Sequence, residues 1–125
     1  MKPPSERLLY GEAGPDGKAP FWRMQTLWDA ARGAPIIEVD IAALGVLDEV
    51  VWFGGPKDVR PTVRTVAERA ADIYRADLSF PIIMTRDGVV LDGAHRIARA
   101  YLEGKTHLSA AVLDACPPPD GTSGG

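Results

Sequence analysis

Between Pro81 and Leu113 the spacing of apolar residues changes twice, and each change marks an element. Ile82–Thr85 and Val89–Leu91 are apolar and rich in β-branched residues, and Asp87-Gly88 between them suits the positive φ of a type I′ turn, so a two-stranded hairpin is predicted. After Leu91 the period lengthens. Ala94, Ile97, Ala98, Tyr101 and Leu102 recur at three and four, which predicts a helix over Ala94–Glu103 with Gly104 as its stop. Thr106–Leu113 then reads as a return strand. With that stripe facing a core, His95, Arg96 and Arg99 are expected to turn away from it, and Asp92-Gly93 fall just ahead of the first turn.

The same rules place the remaining elements. Phe21, Met24, Leu27, Trp28 and Ala31 share one helical face, Pro20 suits a first turn and Gly33 an end, which predicts a helix over Phe21–Arg32. Its aromatics suit a core, or a stacking surface for a base. Ile36–Val39 reads as a strand, and Leu44–Val51 as a short helix or a turn. Trp52-Phe53-Gly54-Gly55-Pro56 is an aromatic, glycine-containing loop, read as a lid over a site in preference to a plug at the core edge. Pro61 opens a helix over Thr62–Arg75, with Val63, Val66, Ala67, Ala70, Ile73 and Tyr74 as its buried stripe and Arg64, Glu68, Arg69 and Asp72 off it. The fold class expected is α/β (α+β), a small mixed sheet of four strands packed with three helices. Residues 1–19, rich in Pro and Gly, are read as a flexible arm, 20–113 as the domain, and 114–125 as a disordered tail.

Composition narrows the possibilities. The chain has 125 residues, 46% of them hydrophobic, enough for one core and too few for two ordinary domains. Fourteen Lys and Arg against 17 Asp and Glu give a net charge of −3, so the broad positive field that non-specific nucleic-acid binding needs is missing. No apolar run reaches the length of a membrane span and the N-terminal residues lack the core of a signal peptide, so a cytosolic location is expected. Cys116 is the only cysteine, which excludes an internal disulfide.

The candidate chemistry lies at the strand-to-helix junction. Unpaired N–H groups at a helix start favour an anion, a guanidinium and an imidazole beside them suit phosphate, and Gly93 permits close backbone approach. The plainer reading makes Asp92 an N-cap and Arg96 a solvated side chain. Arg60 and Arg64 lie near the start of the preceding helix, Arg64 in its first turn and off the apolar stripe.

The stretch from Pro81 to about Val112 resembles the core of the ParB/sulfiredoxin superfamily: a hydrophobic strand, a DG hairpin, a strand ending in a Gly-x-His-Arg-like box, a helix, and a Gly before a last strand. The box reads Leu91-Asp92-Gly93-Ala94-His95-Arg96, and Ile36–Leu44 resembles the family's opening strand more weakly. The resemblance implies nucleotide phosphates held by Gly93, Ala94, His95 and Arg96, with Arg64 bordering the site. It also sets limits. Ala94 stands where sulfiredoxins carry their nucleophilic Cys, and the Glu-Arg-Arg box and helix-turn-helix of chromosome-partitioning ParB proteins are missing.

Two functions are expected from this. One is a phosphotransferase or nucleotide hydrolase acting on a small hydroxylated metabolite, using ATP, ADP or CTP with Mg2+, and drawing its acid or base from Asp92, Glu38 or His95, with Glu49 a further carboxylate. The other is a nucleotide-binding switch without turnover, as a homodimer that closes on nucleotide in the manner of ParB proteins. A DNA-associated role ranks below both.

Overall fold

The computed structural model describes residues 8–55 and 57–124. It contains strands β1 (Leu8–Tyr10) and β2 (Lys18–Arg23), helix α1 (Met24–Ala31), strand β3 (Ile36–Asp40), helix α2 (Val63–Arg75), strands β4 (Ile82–Thr85) and β5 (Val90–Asp92), helix α3 (Ala94–Leu102), and strands β6 (His107–Leu113) and β7 (Gly121–Gly124). The larger sheet is mixed, in the order β3-β6-β4-β5: β6 runs antiparallel to β3 and parallel to β4, and β4 antiparallel to β5. A second, antiparallel sheet runs β1-β2-β7. None of the described helices is long and apolar enough to cross a membrane.

Strand periodicity divides the core into two layers. Successive side chains on a strand face opposite ways, so Ile82 and Met84 of β4, with Leu108 and Ala110 of β6, pack on Ile97 and Ala100 of α3. Ile83 and Leu113 face the other way, onto Met24, Leu27 and Trp28 of α1. Ile82 and Ile83 are both fully buried, so β4 is the strand about which both layers form. Each such side chain contributes roughly 1.5–3 kcal/mol by leaving water.

The β4–β5 turn differs from the type I′ expected. Of its two central candidates only Gly88 has positive φ (96°); Gly88 N donates to the Thr85 carbonyl (3.0 Å) and Thr85 N to that of Val89 (2.9 Å). The loop is therefore the three-residue Arg86-Asp87-Gly88, with glycine in the left-handed position. Leu44–Val51, open between helix and turn, contains a 3₁₀ turn at Gly45–Asp48, preceded by another at Ile41–Ala43 that Asp40 caps through Ala42 N.

The ends of the chain depart furthest from expectation. Phe21 and Pro20 belong to β2 and not to a helix, which starts three residues later at Met24. Pro20 is tolerated in the strand because its carbonyl still accepts from Gly11 N (2.9 Å) at the end of the β1 ladder. Residues 8–10 and 18–19 of the expected arm, and 121–124 of the expected tail, pair with β2 or form part of it; residues 1–7 lie outside the described residues. Their weak intrinsic strand preference is offset by side-chain ties. The Trp22 indole donates to the Pro117 carbonyl (2.7 Å), and Gly121 leaves room for the Phe21 ring, which a Cβ would approach to 2.9 Å. Asp120 then caps α1 from the far end of the chain, accepting from Arg23 N (2.8 Å) and the Thr26 hydroxyl (2.8 and 2.9 Å).

These two donors, the Arg23 N–H first and the Thr26 hydroxyl second, hold the Asp120 carboxyl below the usual carboxylate range. A carboxylate whose pKa falls on folding stabilises above its unfolded value, about 4, and loses that contribution as pH drops through the folded one. Asp120→Ala is expected to lower the thermal midpoint at neutral pH. The difference from wild type should shrink as pH is lowered below about 4 in calorimetric melts.

Candidate functional site

The site begins at Gly93, which has φ 125° and serves as the N-cap of α3 without contributing a side-chain hydrogen bond. Its lack of a Cβ answers a packing need: a Cβ there would lie 2.4 Å from Ile82 Cγ2. The close approach expected of a ligand at this glycine is made on one side by the core itself. The opposite side, at half-buried Ala94 and His95, opens toward solvent.

Arg96 and Asp92 correct the sequence expectation most clearly. Arg96 is turned inward and is only 9% exposed. Its Nη1 donates to the Pro81 carbonyl (3.0 Å), its Nη2 lies 3.5 Å from Asp92 Oδ2, and its guanidinium carbon sits 5.6 Å from the centre of a Trp28 ring. The buried arc of α3 is Arg96, Ile97 and Ala100, one residue round from the stripe predicted, which leaves Tyr101 and Leu102 63% and 66% exposed. A charged residue can occupy that arc because Asp92, itself 7% exposed, partners it one turn away. Both groups are thus committed to the fold. Neither solvated surface nor N-cap describes them, and neither faces a phosphate at the helix start. Arg99 is held as well, donating to the Tyr74 carbonyl and pairing with Glu103 (2.6 Å).

His95 remains at the opening. Its ring is stacked on Trp52, centroids 4.8 Å apart and planes 11° from parallel, and its Nε2 lies 4.0 Å from Asp72 Oδ2 of α2. Asp72 is held in turn by Arg69 (2.9 Å) and Arg75 (3.1 Å). Nothing local in the sequence singles out Asp72, because the contact depends on how α2 lies against α3. Trp52 belongs to the loop read as a lid. Gly54 and Gly55 have φ of 77° and 74° with no atom near their missing Cβ, so the backbone conformation alone calls for glycine there.

Beneath Trp52 is a hollow of about 130 Å³, mainly apolar, bounded by Val46, Val51, Ala94 and Ala98, with Glu49 at its edge. Glu49 also borders a far broader cleft, about 1290 Å³, between the β1–β2 hairpin, the Arg86–Val89 turn and Asp114–Cys116. The other expected residues stay apart. Glu38 is on β3, at the opposite edge of the sheet from β5, where it accepts from the Ser109 hydroxyl (3.0 Å). Three strand spacings, roughly 14 Å, separate those edges. Arg64 is exposed two turns from Asp72, about 12 Å along α2, and does not join Ala94 and His95. Arg60 is exposed and paired with Asp58 (3.3 Å). Among the described residues no three His, Cys, Asp or Glu side chains gather as a metal site.

Removing the guanidinium would leave Asp92 buried without its cation. Arg96→Ala is therefore expected to cost about 3–5 kcal/mol of stability in denaturant titrations. Gly93→Ala, which combines backbone strain with the clash on Ile82, is expected to cost about 2–4 kcal/mol in the same assay. Comparison of the chain with protein-family models, curated proteins and solved structures returns no match.

Proposed function

We propose that the chain is a nucleotide-binding domain of ParB/sulfiredoxin type, in which the first turn of α3 receives a phosphate and the Trp52 loop covers it. The observation that carries this reading is the α3 start: its N-cap is Gly93, which has no side chain to offer, and the half-buried Ala94 and His95 follow it beneath an aromatic ring. The amides of Ala94 and His95 supply donors and the positive end of the helix dipole, and the His95 imidazole adds a third donor. Arg96 acts from behind, fixing the turn that presents them.

The hollow's size bears on the lid. About 130 Å³ is well below the 300–1,000 Å³ of most small-molecule sites, so a nucleotide enters only if Trp52 leaves its stack on His95. With the loop displaced, the Trp52 ring is free to pack on the base. This is the behaviour of a binding switch, and the commitment of Asp92 to Arg96 and the distance of Glu38 favour binding over transfer.

One observation favours the phosphotransferase reading. Glu49 borders both the hollow and the broad cleft, which is where a carboxylate would stand to orient an acceptor hydroxyl arriving from the cleft toward a phosphate on α3. His95, backed by Asp72, is the other acid–base group within reach.

Calorimetric titration with ATP, ADP and CTP in the presence of magnesium, and with the parent nucleosides, tests the reading. Nucleotide is expected to bind and nucleoside to bind at least 10-fold more weakly. His95→Ala should weaken nucleotide by roughly 10-fold, the value of one charge-assisted hydrogen bond. Equal affinity for nucleoside and nucleotide, or no binding of either, refutes it. Acceptor-dependent transfer that Glu49→Gln abolishes while binding persists would move the protein from switch to enzyme.

A further inference from the structure

The larger sheet has one covered edge and one open edge. At β5, Leu91 and Asp92 are buried. At β3, the other end of the sheet, Ile36 is 62% exposed and Ile37 50%, two large aliphatic side chains on opposite faces of the outermost strand. The usual defences of an edge are missing from it: β3 pairs with β6 without a bulge from Ile36 to Asp40 and contains neither lysine nor proline.

The β3–β6 ladder fixes which backbone groups the edge offers. Val112 N donates to the Pro35 carbonyl (3.0 Å) and Ile41 N to that of Thr106 (2.9 Å), so Pro35, Ile37, Val39 and Ile41 turn their backbone toward β6. Ile36 and Glu38 turn theirs outward, an N–H and a C=O each, and among the described residues no strand pairs with that side. Groups in this alternation call for another extended strand, and β3 itself supplies one. With a two-fold axis at Ile37, antiparallel pairing sets Ile36 of each copy opposite Glu38 of the other and satisfies every one of those outward groups. Ile37 then meets Ile37 at a position without hydrogen bonds, where side chains are closest, and Pro35 falls opposite Val39, where no N–H is needed. The neighbouring registers fit less well. An axis at Glu38 opposes two carboxylates. One at Ile36 sets Glu38 against Ala34, whose N–H is given to Ala31, and one at Val39 sets Ile36 against Ala42, whose N–H is given to Asp40.

We propose that β3 is the contact strand of a reversible homodimer, pairing antiparallel with its copy about Ile37 so that the two larger sheets join into one. A single pair of short strands covers less than the ~800 Å² per partner of a standard stable interface, so the dimer is weak and depends on concentration. The proposal does not depend on the nucleotide site, which lies toward the opposite edge of the sheet.

Sedimentation velocity on the full chain over a concentration series, with circular dichroism melts to show that each variant folds, decides the matter. Wild type is expected to show a reversible monomer–dimer equilibrium. Glu38→Pro removes an N–H that points away from β6, so the ladder within the chain is kept while association should weaken at least 10-fold. Ile37→Lys, which sets two ammonium groups against each other across the axis, should weaken it similarly and serves if the proline variant fails to fold. Cross-linking reads the register. In a Cys116→Ser background, Ile37→Cys should form a covalent dimer under mild oxidation, because paired residues without hydrogen bonds have Cα atoms ~4.5 Å apart, within reach of a disulfide. Val39→Cys in the same background should not, since its copy lies four positions along the strand. A chain that stays monomeric throughout, a dimer that neither Glu38→Pro nor Ile37→Lys weakens, or equal cross-linking at both cysteines overturns the proposal.

Discussion

The guanidinium of Arg96 is the point at which four separate parts of the chain meet. It touches Trp28 of α1, the Pro81 carbonyl ahead of β4, Asp92 at the end of β5, and its own helix α3. A charge so far from water is tolerated only because its donors and its countercharge are all supplied locally. That requirement fixes where β5 ends, how α3 leaves it, and which side of α3 is left for solvent. Ala94 and His95 are left half-buried at the surface as the complement of Arg96 being enclosed. The box that resembles a phosphate site is therefore half architecture and half opening, and the two halves are adjacent residues of one helical turn.

Elements whose signal is local were legible. β4 ends where the sequence predicts, and β6, α2 and α3 differ from their predicted bounds by a residue, because each has a repeating apolar period and a recognisable stop such as Gly104. The start of α1 was not legible. Phe21 has the correct phase for the helix, and Pro20 is equally at home in a first turn or at the end of a ladder, so only the pairing with β1 and β7 decides. The small terminal sheet was invisible for a related reason. Gly-Thr-Ser-Gly has no strand preference of its own, and β7 exists through the ties of Trp22 to Pro117 and of Asp120 to α1.

At the site the sequence locates the turn and misjudges its orientation. Ala94 and His95 are half-buried at the opening, but Arg96, expected to turn from the core toward a phosphate or, on the plainer reading, toward solvent, is enclosed. Its enclosure depends on Trp28, 68 positions earlier, and on Asp92, whose local appearance is that of a cap. Asp72 is placed by its spacing only off the apolar stripe of its helix, yet it lies against His95. Conversely, the α2 stripe looks like buried core on spacing alone, yet Val63 is 91% exposed and Tyr74 71%. Periodicity identifies an apolar face without saying which neighbour covers it.

The cap that Asp120 provides to α1 spans 97 residues of sequence between carboxylate and backbone amide. During synthesis on a ribosome, α1 emerges early and must wait, its first turn uncapped, until residue 120 clears the exit tunnel. The helix that forms one layer of the core is thus completed by a residue almost a hundred positions later, and a nick near residue 120 would be felt first at Arg23 and Thr26.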